Sequence, residues 1–198
     1  MNRPTKAKTS ADNLAAAARK AGKKGLPPVH LWNPDFCGDL DMRIARDGTW
    51  FYLGTPIGRA ELVRLFSTIL RRDGEDYFLV TPVEKVGITV DDAPFVAVDF
   101  QIQGSGDEQV LTFETNVGDF AAAGADNPIR VVRDPGTGEP SPYVLIRANL
   151  EALIDRKSFY RLVDIGETQD VDGVAWFGVR SGGRFFEIIP AAELADVS

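Results

Sequence analysis

A cluster of arginine, aspartate and turn residues occurs twice in this chain, as RIARDGTW at Arg43–Trp50 and as RVVRDPGT at Arg130–Thr137. In the first copy, Asp47-Gly48 separates the alternating segment DLDMRI from TWFYL, which is typical of a hairpin with a two-residue turn. Each copy is followed by a second similarity, because RAELVRLF at 59–66 and RANLEALI at 147–154 share their Arg, Ala and Leu positions. The sequence therefore predicts an α+β fold in which a small unit is duplicated.

Each predicted repeat contains antiparallel strands and one helix. In the first repeat, Thr55-Pro56 is typical of a helix start, and apolar residues follow it at helical spacing. In the second repeat, we expect a helix from about Arg147 to Ser158 and then a strand at 159–165. The other predicted strands are YFLVT, VEKVGITV, FVAVDFQIQ, EQVLTFET, IRVVR, YVLI, VAWFGV and RFFEII.

Length and composition allow one large domain or two small ones, since the chain has 198 residues and 44% hydrophobic content. We predict a basic tail at 1–28, a leader with the first repeat at 29–120, and the second repeat at 121–198. The only large apolar residue in the helical part of the tail is Leu14. We therefore expect that part to be frayed or disordered, because it has no face to bury.

Charge is distributed unevenly along the chain. Residues 1–28 hold seven of the 22 basic residues and one of the 29 acidic residues, so the body is strongly acidic. An acidic body disfavours nucleic acid as a partner, because binding it normally needs a basic face. No apolar run is long enough to cross a membrane. A single cysteine, Cys37, excludes an intramolecular disulfide and fits a reducing compartment, so we expect a cytoplasmic protein without a membrane partner.

Several of these segments together resemble a known bacterial family. PPVHLWNPDFCGDLDMRIARDGTWFY, GTPIGRAELVRLFSTILRR, YFLVTPVEKVGITVDDAPFVAVDF and TNVGD follow the motif order of domain of unknown function 1285, over roughly 27–165. The family has no assigned reaction. The resemblance implies a duplicated α+β domain whose second copy is loosely like a pleckstrin-homology barrel. It also implies a role in signalling, with a binding site at the interface of the two copies.

Catalytic and metal-binding patterns are absent from the sequence. One cysteine and one histidine give no CxxC pair and no HExxH motif, so we predict no metal and no cofactor. A dyad of Cys37 and His30 is conceivable, but a lone cysteine usually packs as an inert side chain and a lone histidine usually bonds locally. We therefore predict no catalytic residue.

The duplicated arginine cluster is the best candidate for ligand contact. Arg43 lies near Trp50 in the first hairpin, and arginine beside an aromatic residue is typical of binding hot spots. Arg59 and Arg147 stand where the two helices are predicted to begin, and helix starts can bind anions. Lys85 follows Pro82, which suggests a strand edge or a bulge. In the groove between the repeats we predict ligand contacts from Arg43, Trp50, Arg59, Lys85 and Arg147; ion pairs that hold the copies together are the alternative role for the arginines.

The sequence favours a non-enzymatic module that binds a ligand or a protein, in signal transduction or regulation. Its expected partner is an unidentified protein or a small anionic ligand. An enzyme that acts on an anionic small molecule through arginine clamps is the alternative function. Nucleic-acid binding through the basic tail is a weaker alternative, since the body is acidic.

Overall fold

The computed structural model describes residues 9–22 and 25–196 of the chain, and these residues form two compact units that divide between Pro94 and Phe95. The expected boundary at residue 120 is wrong, because it falls inside the second unit. The strands that precede residue 120 pair with strands of the second unit, so hydrogen bonding assigns them there. Residues 1–8, 23 and 24 of the predicted tail lie outside the described residues.

The first unit is a six-stranded mixed sheet with two α-helices. Its strands run in the order β3-β2-β1-β6-β5-β4, so the first and last strands of the unit are neighbours and pair in parallel. The other neighbours pair antiparallel. Its elements are α1 (Ala11–Ala21), a 3₁₀ turn (Val29–Leu31), β1 (Phe36–Ile44), β2 (Trp50–Tyr52), β3 (Thr55–Pro56), α2 (Ala60–Thr68), β4 (Leu70–Asp73), β5 (Asp76–Val80) and β6 (Lys85–Val90).

Alternation along β1 separates a core face from an open face of this sheet. Leu40, Met42 and Ile44 are buried, whereas Asp41 and Arg43 between them are exposed. The period of two is that of a strand with one buried face, as the sequence predicts. β1 therefore presents its charged residues on the face opposite the core.

The first predicted helix begins later than its sequence suggests. Thr55 and Pro56 pair with Tyr52 and Phe51 as the short strand β3, and α2 starts only at Ala60. Proline is tolerated here because β3 is the edge strand of the sheet and its missing N–H is not needed in the ladder.

The expectation of a frayed helix at the N-terminus is wrong for the described part of that segment. α1 packs against α2, and Leu14 and Ala18 are fully buried. Ser10 caps the helix by accepting a hydrogen bond from the Asn13 N–H. The alanines explain the difference, because small side chains let two helices approach closely and one leucine then suffices to anchor the contact.

The second unit contains a six-stranded mixed sheet, a helix and a separate three-stranded sheet. The large sheet has the order β10-β11-β12-β7-β8-β9, and the small one β13-β14-β15. The elements are β7 (Phe95–Gln103), a 3₁₀ turn (Gly106–Glu108), β8 (Val110–Thr115), β9 (Phe120–Ala122), β10 (Ile129–Arg133), β11 (Pro140–Arg147), β12 (Leu150–Ile154), α3 (Arg156–Asp164), β13 (Glu167–Val171), β14 (Val174–Ser181), β15 (Arg184–Pro190) and a 3₁₀ helix (Ala191–Asp196).

The predicted duplicated α+β fold is confirmed, and both large sheets curl into half-barrels. In each unit two three-stranded meanders are joined so that the first and sixth strands lie side by side in parallel. This common topology makes β7 the counterpart of β1. The proposed match between the Arg43 hairpin and the Arg130 hairpin is therefore wrong, since the latter lies in the second meander of its unit.

The segment 147–154 forms a turn and a strand instead of the expected helix. Ala148 has a left-handed backbone with φ of 48°, and Leu150, Ala152 and Ile154 are buried at every second position of β12. The helix α3 follows, with Asp155 as its cap, and occupies most of the predicted strand at 159–165. Leu150, Leu153 and Ile154 also fit helical spacing, so the apolar pattern alone does not distinguish the two structures.

Candidate functional site

A depression of about 220 Å³ lies on the open face of the first sheet. The residues that line it come from three strands and the turn after β2: Leu40, Asp41, Met42 and Arg43 of β1, Phe51 of β2, Gly54, and Thr89 of β6. Strand pairing brings these residues together, because Arg43 is the partner of Phe51 on one side and of Thr89 on the other. Paired residues point to the same face of a sheet, so the three side chains converge.

The turn between β1 and β2 decides which aromatic residue faces Arg43. Ala45 and Thr49 close the hairpin by a backbone hydrogen bond of 2.9 Å, and Gly48 has a φ of 84°. The loop is therefore three residues long instead of the predicted two. This shift changes the cross-strand partner of Arg43 from Tyr52 to Phe51.

Trp50 lies in the core of the first unit. It pairs with Ile44, its side chain is 1% exposed, and its ring stacks on Phe66 with centroids 6.3 Å apart. A residue buried in this way stabilises the fold through its packing. It does not offer the ligand contact expected from the sequence.

Arg43 is held in place from two sides. Its Nη1 donates to Oδ2 of Asp91 at 2.5 Å, and its guanidinium carbon lies 4.7 Å from the centroid of the Phe51 ring. Its side chain remains 45% exposed. Within the described residues, Nε and Nη2 of Arg43 have no hydrogen-bond acceptor. Arg43 thus combines a fixed orientation with donors that a ligand could use.

Acidic groups outnumber basic ones around the depression. Asp91 already balances the charge of Arg43. Asp41 is exposed on the same face, and its carboxylate has no ion-pair or hydrogen-bond partner among the residues that the structure describes. Arg43, its partner Asp91 and the neighbouring Asp41 together therefore carry a net negative charge.

Lys85 belongs to another cluster on the first sheet. Its Nζ is 2.7 Å from Oδ2 of Asp73 and 4.0 Å from the centroid of the Phe78 ring. Burial raises the pKa of Asp73, but the hydrogen bonds from Arg71 and Lys85 outweigh that effect, so its pKa lies below the ordinary value. The ammonium of Lys85 is thus engaged within the protein.

The two residues predicted to stand at helix starts have different surroundings. Arg59 is exposed, and its backbone carbonyl accepts from Leu62 and Val63 in the first turn of α2. Arg147 lies in the second unit, where it bonds to Asp119 and stacks on Phe95 at 4.9 Å. Burial lowers the pKa of Arg147 to about 10. Neither residue is among those that line the depression at Arg43.

Many of the arginines take part in the same kind of contact within the protein. A cation lies over an aromatic ring and also pairs with a carboxylate, as in Arg130 with Tyr143 and Glu151. Both nitrogens of that bidentate pair are 2.6 Å from Glu151 oxygens. Arg43 has the same arrangement but also lines a depression, which makes it the strongest of the predicted contacts.

Cys37 and His30 do not form the dyad that the sequence left conceivable. The Cys37 thiol donates to the carbonyl of Asp35 at 3.3 Å, and His30 is exposed on the 3₁₀ turn. Among the described residues, no three His, Cys, Asp or Glu side chains are placed to hold a metal ion. Nor does any helix in residues 9–22 or 25–196 have the length and apolar character needed to cross a membrane.

Comparison with known proteins divides the chain near the boundary between its units. The N-terminal domain of the DUF1285 family, a domain of unknown function, matches residues 27–93. The C-terminal domain of the same family, described as a protein of unknown function, matches residues 94–188. No curated protein matches the chain.

Two crystal structures of family proteins are similar to this chain. The protein from Silicibacter pomeroyi DSS-3 is 64% identical, with a TM-score of 0.85, over 94% of this chain and 100% of that one. The protein from Shewanella baltica OS155 is 29% identical, with a TM-score of 0.50, over 63% of this chain and 91% of that one. The matched models, the identity and the coverage agree: the chain belongs to the DUF1285 family.

Proposed function

We propose that the protein is a non-enzymatic binding module of the signalling or regulatory kind, and that the depression at Arg43 is one of its ligand contacts. The single observation that carries this proposal is the state of Arg43. Asp91 and Phe51 fix its guanidinium while two of its nitrogens stay available. A contact that is ordered before binding loses less conformational entropy when a ligand arrives.

The available edge of Arg43 suits a planar group with two acceptor oxygens. Guanidinium and carboxylate match as a bidentate pair, and such charge-assisted hydrogen bonds are stronger than neutral ones. The ring of Phe51 adds an apolar wall, which is a common partner of a few fixed polar groups in ligand sites. These features support a small ligand that carries a carboxylate.

Arginine clamps on a highly charged anion receive less support. Lys85 is paired with Asp73, Arg147 with Asp119, and Arg43 itself with Asp91. A phosphate would have to displace one of these carboxylates or lie beside Asp41 and Asp91. Both arrangements place like charges together, and this disfavours the enzyme alternative that depends on such clamps.

The proposal is tested by comparing Arg43→Gln with Arg130→Gln. Each change removes one arginine that stacks on a ring and pairs with an acid, but only Arg43 lines the depression. Small molecules released from each purified protein by denaturation would be identified by mass spectrometry. We expect a carboxylate released from the wild type and from Arg130→Gln but absent from Arg43→Gln.

Equal release from all three proteins would contradict the proposal. Where no molecule co-purifies, the measurement is an NMR titration of the labelled protein with acetate, succinate and the twenty common amino acids. Unchanged signals of Phe51 and Thr89 with every probe would then reject a ligand contact at Arg43.

A further inference from the structure

The charges around the depression restrict what a ligand must carry. Asp91 compensates Arg43, and the carboxylate of Asp41 remains without a partner in the described chain. A ligand with only a carboxylate would gain a bond to Arg43 but would meet the field of two aspartates. A ligand that also carries a cation would satisfy Asp41, so opposite charges would meet at both ends.

The spacing of Asp41 and Arg43 suits two charges that are close together in the ligand. The two residues are separated by one position in β1 and point to the same face, so their Cα atoms are roughly 6.6 Å apart. The long side chain of Arg43 leans over Phe51 in the neighbouring strand, whereas that of Asp41 is short. Two charged groups attached to one carbon atom of a small molecule can therefore reach one residue each.

The volume of the depression limits the size of that molecule. About 220 Å³ is below the range of roughly 300–1,000 Å³ that is usual for drug-sized ligands. It corresponds to about seven water molecules at roughly 30 Å³ each. A molecule of amino-acid size fits this space, and a nucleotide does not.

Two further lining residues, Thr89 and Gly54, are compatible with such a ligand. The hydroxyl of Thr89 is exposed beside Arg43 and can accept a hydrogen bond from an ammonium. At Gly54 a Cβ atom would meet nothing within 4 Å, so the depression is open on that side. A substituent on the ligand could leave the site there without a clash.

We infer that the ligand at this site is a free α-amino acid, whose carboxylate binds Arg43 and whose ammonium binds Asp41 and Thr89. This inference rests on the proposed binding function and specifies its ligand class. It predicts recognition of the two charged groups that all α-amino acids share. The side chain of the amino acid would point toward Gly54 and contribute less to affinity.

The test uses chemical derivatives that remove one charge at a time. Each of the twenty L-amino acids is titrated into the labelled full-length protein, and the amino acid that shifts the Phe51 and Thr89 signals is selected. Its N-acetyl derivative lacks the ammonium, and its amide lacks the carboxylate. We expect each derivative to bind at least about tenfold more weakly, since each loses a charge-assisted hydrogen bond.

Protein variants then locate each charge. Asp41→Asn should weaken binding of the amino acid about tenfold but should not weaken binding of the N-acetyl derivative, which has no ammonium for Asp41 to bind. Arg43→Gln should weaken binding of the amino acid about tenfold but should not weaken binding of the amide, which has no carboxylate. Arg130→Gln should bind the amino acid like the wild type. Both residues tested are exposed, and melting curves would verify that the variants fold.

The possible failures can be distinguished. If the N-acetyl derivative binds as tightly as the amino acid, the ligand is a simple carboxylate, and the inference fails while the site at Arg43 stands. If no amino acid, acetate or succinate shifts Phe51 and Thr89, the site fails as well. If Asp41→Asn has no effect on the amino acid, the assignment of the ammonium is wrong.

The headgroup of phosphatidylserine ends in the same two charged groups, a carboxylate and an ammonium. Sedimentation with vesicles of phosphatidylserine and phosphatidylcholine separates the two sources. We expect no sedimentation that depends on Asp41, because an anionic surface repels the acidic body, and binding through the basic residues 1–28 would persist in Asp41→Asn. Sedimentation with these vesicles that is lost in Asp41→Asn would overturn the assignment to a free amino acid.

Discussion

Ser181 donates a hydrogen bond from its hydroxyl to the backbone carbonyl of Ala123 at 2.7 Å. The same oxygen accepts a hydrogen bond from the backbone N–H of Leu111 at 2.8 Å. Ser181 is fully buried at the end of β14, so one side chain links the small sheet to β8 and to the residue that follows β9 in the second unit. It satisfies two backbone groups that are buried in the second unit.

Replacement of Ser181 by alanine should therefore destabilise the second unit. Both backbone groups would lose their partner while remaining buried, which costs about 1–3 kcal/mol for each unsatisfied group. Urea denaturation followed by circular dichroism measures the free energy of unfolding. The control is Ser105→Ala, at an exposed position without a side-chain cap bond, which should leave that energy within about 0.5 kcal/mol of the wild type. Equal stabilities of the two variants would contradict this role of Ser181.

Gly178 should not tolerate a larger side chain. A Cβ atom there would lie 2.2 Å from the carbonyl oxygen of Phe186, which belongs to the neighbouring strand β15 and cannot rotate away. We expect Gly178→Ala to lower the free energy of unfolding by about 1–3 kcal/mol, because overpacking forces the backbone to shift. Gly58→Ala is the matched control, since a Cβ at Gly58 meets nothing within 4 Å. Equal melting temperatures of Gly178→Ala and Gly58→Ala would contradict the steric argument.

Docking of α1 should depend on a single side chain. Leu14 is fully buried between α1 and the rest of the first unit, and its other buried neighbours in the helix are alanines. We expect Leu14→Ala to release α1 and to raise amide hydrogen exchange over residues 11–21, because an isolated helix of this length is marginal in water. Lys20→Ala, at an exposed position of the same helix, should leave the exchange unchanged. Retained protection in Leu14→Ala would show that other contacts hold the helix.

Acid should weaken the first unit partly through Asp73. Its hydrogen bonds with Arg71 and Lys85 lower its pKa in the folded state below 3.8, the ordinary value. A lowered folded pKa adds stability above the unfolded pKa, and this stability is lost as the pH falls from about 3.8 through the folded value. Asp73→Asn should therefore be less stable than the wild type at pH 6, and the difference should shrink below pH 3.8. Urea titrations of both proteins at pH 6 and at a pH below 3.8 measure the difference in their free energies of unfolding. A difference that does not change with pH would contradict this account.

Local patterns in the sequence predict most of the strands, whereas the duplication is inferred from segment matches that the topology does not support. The alternation of Leu40, Met42 and Ile44 identifies the core face of β1 and leaves Arg43 on the open face. Asp47-Gly48 also marks the turn correctly, because Thr49 donates to Asp47 and this hydrogen bond lowers the pKa of that carboxyl. The turn signal does not specify the length of the loop. A difference of one residue in that length determines whether Tyr52 or Phe51 lies beside Arg43.

Long-range pairing explains the rest of what the sequence missed. Thr89 and Asp91 join the site only because β6 runs parallel to β1, and no local signal in either strand specifies that partner. The match of 59–66 with 147–154 rests on shared letters, but Ala60 begins a helix where Ala148 turns the chain into β12. Tertiary pairing here overrides local resemblance.

The parallel pairing of β1 with β6, and of β7 with β12, has a consequence for how the chain folds as it is made. In each unit the first strand of the large sheet pairs at the centre of that sheet with the sixth strand, which is the last of the six to leave the ribosome. Neither sheet can close around its middle until that late segment emerges, which gives both units a high contact order and favours slow folding. Until then β1 and β7 present an unpaired edge to the cell, so this interval is when the chain is most exposed to aggregation.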